Sequence, residues 1–178
     1  NEFPEAIKNF NLAKKRGYNP KDLNYELGQS YFAQEQIQLA REEFKASFER
    51  KFKRAVSLYY VAYLTRELGD TERSFDFYKL IEDLSEEERR EVEQATEFQL
   101  GDIYYQEALK RPDILDAIEN YVIPQYEKAR RIDEKSELGR IIDDKILSLQ
   151  KKYELRLFEL RNGKFVMTPP YFLKFALE

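Results

Sequence analysis

Residues of matching type recur at intervals of 34 along this chain. Ala6, Ala40 and Ser74 form one series, Phe10, Phe44 and Tyr78 a second, and Gly28 with Ala62 a third. Self-similarity at a fixed period of this size means that one small supersecondary unit is stacked on copies of itself. Neighbouring units then share a core that none could bury alone, and the stack presents a continuous surface on which other molecules can be held.

The composition suits stacked amphipathic helices. Charged residues make up 36% of the 178 positions and hydrophobic ones 42%, with only six Gly and six Pro. Each helix can therefore carry one wet face and one buried face. Thirty Lys and Arg against 34 Asp and Glu leave a net charge of -4, which gives no general attraction to nucleic acid or to an anionic membrane. The chain has no Cys, so disulfides and thiolate metal sites are excluded, and no His, the usual general base near neutral pH. No apolar run approaches the ~20 residues needed to span a bilayer. The sequence opens at Asn1-Glu2-Phe3, without Met and inside a repeat, and so reads as a piece of a longer protein.

Leu27-Gly28-x2-Tyr31 followed by Ala40-x3-Phe44 resembles the tetratricopeptide (TPR) signature. Leu100-Gly101-x2-Tyr104 repeats its first half and Ala6-x3-Phe10 its second, while Leu68-Gly69-Asp70 supplies a turn between helices. A small residue on each helix lets two axes approach, and an aromatic fills the space beside the contact. The early Trp of the signature is absent, with Asn24 and Leu58 in its place; Thr65 replaces the Tyr and Ser74 the Ala. The resemblance implies an all-α, TPR-like solenoid of helical hairpins with a long C-terminal capping helix.

The expected helices are 4–16, 21–34, 37–50, 54–68, 71–84, 87–110, 113–131 and 134–161. They divide the chain into TPR-like repeats over 1–133, a capping helix over 134–161 and an apolar tail over 162–178. Within the first part come a half repeat 1–20, repeats 21–53 and 54–86, and a distorted repeat 87–133. Gly17 and Asn19-Pro20 close the first helix. Asp70 and Ser85 are expected N-caps, the latter with Glu88 as a capping box. Gly101 lies 39 residues after Ala62, so about five residues are inserted, most simply within 85–91. Pro124 should kink the following helix against the carbonyl of Asn120. There, either Ala117 with Tyr121 or Tyr126 with Ala129 could form the packing face.

In this fold the first helices of successive repeats make a concave wall. In register, its columns are Tyr25, Tyr59 and Phe98; Gln29, Tyr63 and Asp102; Phe32, Arg66 and Tyr105; and Glu26, Tyr60 and Gln99. Tyr offers wide contact with a polar tip at small conformational cost, which suits recognition. The candidate binding residues are therefore Tyr25, Gln29, Phe32, Tyr59, Tyr60, Tyr63, Arg66, Phe98, Asp102 and Tyr105. The Lys and Asn with which some TPR domains clamp a carboxylate are replaced here by Tyr, Gln and Glu.

Basic clusters at 14–16, 50–54 and 128–131 fall near helix C-termini, where they offset the helix dipole. A row of phosphate contacts for RNA is the less favoured alternative. Neighbouring carboxylates such as Glu86-Glu87-Glu88 point apart on a helix and do not converge on an ion. No glycine-rich phosphate loop or nucleophile elbow occurs. The expectation is a non-enzymatic scaffold or adaptor, without cofactor or metal, that binds another protein or a peptide. A self-assembly module is the alternative, and the tail 163–178 is a candidate for self-association.

Overall fold

The computed structural model describes the chain from Phe3 to Glu159, and its side chains as far as Tyr153. Every regular element among the described residues is helical. The helices are α1 (Phe3–Lys15), α2 (Leu23–Phe32), α3 (Ile37–Glu49), α4 (Arg54–Glu67), α5 (Thr71–Glu82), α6 (Glu86–Arg89), α7 (Glu93–Ala108), α8 (Ile114–Ala117), α9 (Ile123–Ile132) and α10 (Glu137–Glu159). A π-helical turn, Ile118–Val122, joins α8 to α9. The tail expected at 162–178 lies outside the described residues.

From α1 to α5 each helix packs on the next; α5 then packs on α7, α7 on α9, and α9 on α10. Connections of a few residues force neighbours to run antiparallel. The turns themselves keep the 34-residue interval. Gly17 and Lys51 have φ of 80° and 59°, and Glu35 and Gly69, also 34 apart, have φ of 58° and 89°. Left-handed backbone thus recurs at the same place in successive units, although only one member of each pair is glycine.

The interior is built from a repeated stripe on every second helix. Ala40, Phe44 and Ser47 of α3 are fully buried, as are Ser74 and Tyr78 of α5, with Ile81 at 1% exposure. Val122, Tyr126 and Ala129 form the same stripe at the π-turn and α9. Opposite these stripes lie Gly28, Ala62 and Gly101, all buried. A Cβ on Gly28 would come within 2.9 Å of the Phe44 ring, and one on Gly101 within 2.7 Å of the Tyr126 ring. Two helices meet at those points because one of them lacks a side chain there. In the middle unit Ser74 Oγ donates to the Ala62 carbonyl at 2.8 Å, so the hydroxyl that replaces a methyl is satisfied inside the core.

Pro124 does not simply kink a helix. The wider π-turn precedes it, where the chain must accommodate a missing N–H and the bulk of the ring. It also settles the alternative packing faces. Ala117 is buried but Tyr121 is 54% exposed, because residues four apart no longer share a face across a π-turn. Tyr126 and Ala129 face the core instead.

Helix 87–110 is broken as well. Ser85 and Glu88 form the expected capping box, but it caps the single turn α6, and α7 starts afresh at Glu93. That turn holds the inserted residues, and Arg54 of α4 reaches it through an ion pair with Glu88 at 2.9 Å. Asp70 caps α5 by accepting from the Arg73 N–H at 3.1 Å. Two buried clusters result: one spans α2 to α5, the other α8 to α10, and α7 contributes to both.

Candidate functional site

Helices α2, α4 and α7 carry the ten candidate residues, and their side chains form two linked groups. The first is aromatic. The rings of Phe32 and Tyr60 lie 5.5 Å apart and those of Phe32 and Tyr63 6.2 Å, joining α2 to α4. Tyr59 meets Tyr60 at 5.9 Å, and Tyr60 stacks on the buried Phe44 at 4.4 Å. Phe32, Tyr59, Tyr60 and Tyr63 remain half-buried, so their edges face outward. Burial raises the hydroxyl of Tyr59 to about 12, with the nearby Tyr60 adding to the effect.

Tyr25 departs from expectation. It is only 5% exposed, packed edge-on against Phe44 at 5.7 Å and Phe52 at 5.8 Å. The turn before α4 folds Phe52 and Lys53 back over it, with the Lys53 ammonium 4.7 Å from the ring. Tyr25 is therefore a core residue whose hydroxyl alone reaches the surface side, where it accepts from the exposed Gln29 at 3.2 Å. Phe98 likewise packs against Tyr126, with ring centroids at 5.8 Å.

The second group is polar. Arg66 donates to Gln99 at 2.7 Å and stands 3.9 Å from Asp102. Asp102 also accepts from the Tyr126 hydroxyl and from Lys145, each at 2.5 Å. Burial, then the hydrogen bond to Asp102, pushes the Tyr126 hydroxyl far above its ordinary value. Lys145 lies 5.5 Å from both the Phe98 and Tyr126 rings, in cation–π range. Beyond it, Lys152 donates to the Tyr105 hydroxyl at 2.9 Å, and Tyr153 stands 3.4 Å from the same oxygen. Burial works to raise Tyr105, but the hydrogen bonds from Lys152 and Tyr153 and the nearby ammonium groups outweigh it and hold the hydroxyl low.

Lys145, Lys152 and Tyr153 come from α10 and lie outside the residues read from the repeat. A faint signal exists: Lys145 and Lys152 are seven apart, two turns on one helix face, beside the buried stripe Ile142, Ile146 and Leu149. Nothing in the spacing says which helix that face meets.

Elsewhere, charges are largely paired within the fold. Lys14 pairs with Glu43, Arg54 with Glu88, Lys128 with Glu82 and Glu97, and Arg130 with Asp143. Arg50 bonds Asn19 and Asn24. These partners hold much of the basic clusters against the protein itself. A polar cavity of about 200 Å³ lies between α5, α6, α7 and α9, but its deepest carboxylate, Glu97, is closed by Lys128 at 2.7 Å and Gln125 at 2.5 Å.

Among the described residues no cluster of carboxylates could hold a metal ion, and no helix is long and apolar enough to cross a membrane. No protein-family model, no curated protein and no solved structure matches the chain.

Proposed function

We propose that this chain is a TPR-like stack of helical hairpins that acts, without catalysis, as a docking module for another protein or a peptide. The observation that carries this reading is the joined aromatic surface of Phe32, Tyr59, Tyr60 and Tyr63. Two successive first helices contribute to it, and its rings keep their outer edges uncovered. Aromatic rings grouped in this way offer apolar area together with hydroxyls that orient a partner. The 34-residue recurrence of left-handed turns, with the glycine-to-aromatic contacts Gly28–Phe44 and Gly101–Tyr126, supports the repeat architecture behind it. Selection of a random peptide display library on the immobilised protein tests the reading. Enrichment is expected on the wild type and not on a Tyr59→Ala/Tyr63→Ala variant of unchanged helicity. Equal enrichment on both would move the site elsewhere.

A self-assembly role has one observation in its favour. Phe10 and Ala6 of α1 stay partly exposed, whereas Phe44 and Ala40, 34 residues on, are fully buried. Phe3 at 49% and Leu12 at 43% exposure widen that apolar face. Light scattering at several concentrations separates the two roles.

A further inference from the structure

The polar end of the aromatic surface is more basic than its own repeat helices suggest. Asp102, the carboxylate that α7 places there, is already taken up by Tyr126 and Lys145 at 2.5 Å each. Arg66 from α4 and Lys145 from α10 stand against it, and Lys152, two turns further along α10, sits on the Tyr105 hydroxyl, so three cations line this end in a chain whose net charge is -4. The Lys152 ammonium sits 2.9 Å from the Tyr105 hydroxyl, and the charges of Lys152 and Lys145 both act to lower that hydroxyl. Glu26, the other carboxylate in register with the wall, sits on α2 at the opposite end. Arg66 and Lys145 share the single charge of Asp102, and Lys152 donates to Tyr105, a neutral partner, so the group keeps an excess of positive charge.

We infer that the partner docked on this surface is an acidic peptide segment, whose carboxylates meet Arg66, Lys145 and Lys152 while an apolar or aromatic residue beside them rests on Tyr59, Tyr60 and Tyr63. The inference depends on the docking reading above and adds the chemistry of the occupant. Pre-positioned cations on a rigid face favour carboxylates by steering and by charge-assisted hydrogen bonds, while like-charged segments are repelled. Helix α10 is then part of the recognition surface as well as a cover for the second core cluster.

The test is the charge of the peptides enriched from a random display library on the wild-type protein, on Lys152→Glu and on Lys145→Gln. Lys152 is exposed, so its replacement leaves the core intact, and circular dichroism confirms folding of each variant. Enriched wild-type peptides should carry a clear excess of Asp and Glu. A synthetic copy of one should bind Lys152→Glu about tenfold more weakly, and the wild type more weakly in 0.5 M than in 0.05 M salt. Enrichment without acidic excess, or binding indifferent to Lys152→Glu, overturns the inference and leaves the docking reading standing. Absence of enrichment on the wild type removes both. Tighter binding of a 20-mer oligouridylate than of the selected peptide also overturns it.

Discussion

The ring of Tyr126 lies so close to Gly101 that a methyl group on that residue would stand 2.7 Å from both Cδ1 and Cε1. Tyr126 is fully buried and bonded to Asp102, so it has little room to retreat. Overpacking of this kind costs about 1–3 kcal/mol, while the better helix propensity of Ala returns at most about 1. Gly101→Ala should therefore lower the melting temperature. Gly28→Ala, with its nearest ring atom at 2.9 Å, should lower it less. Thermal unfolding followed by circular dichroism measures both, and a rise at Gly101 would contradict the packing described.

Tyr78 and Tyr126 occupy equivalent places in the repeated stripe, yet their hydroxyls fare differently. That of Tyr78 is buried without a hydrogen-bond partner, whereas that of Tyr126 donates to Asp102 at 2.5 Å. An orphaned buried polar group costs about 1–3 kcal/mol, and a hydrogen bond to a charged group contributes about as much. Tyr78→Phe should stabilise the protein and Tyr126→Phe should destabilise it. Denaturant melts of the two variants should shift their midpoints in opposite directions.

Glu35 and Lys51 hold left-handed backbone at positions where Gly69 and Gly17, 34 residues away, do so without a Cβ. That conformation costs an L-residue about 1–2 kcal/mol, part of which glycine gives back through its freer unfolded chain. Glu35→Gly and Lys51→Gly should each raise stability by about 0.5–1 kcal/mol, or roughly 1–4 °C in a chain of this size. Unchanged or lower melting temperatures would show that these side chains contribute more than their backbone costs.

Stability should fall as the solution turns alkaline. Burial raises Tyr59 from 10.0 to about 12, and raises Tyr78 and Tyr126 as well. Between pH 10 and 12 the unfolded chain gives up these protons more readily than the folded one, so rising pH favours unfolding. Their contribution is intact below pH 10 and is lost upward through the folded-state values. Tyr78→Phe should weaken this dependence, as read from denaturant midpoints at pH 9 and 11.5.

The hairpins were legible because each depends on local facts: a small residue, an aromatic four or more positions on, and a turn between. Gly28, Ala40, Ala62 and Gly101 are buried where that pattern requires. Tyr25 escaped because its burial comes from Phe52 and Lys53, in a turn outside the repeat's packing pattern. The choice of Tyr126 over Tyr121 rests on a π-turn, which changes the helical period itself, so spacing counted at 3.6 residues could not decide it. Lys145 and Lys152 were hidden because only tertiary placement says what one long helix faces.

Helix α7 lends Leu100 and Ile103 to one buried cluster and Ala108 to the other. Heat that strips away the C-terminal helices would thus lay bare apolar surface on the N-terminal side too. The two halves should melt together, and a cut made between them would leave neither half with a closed flank.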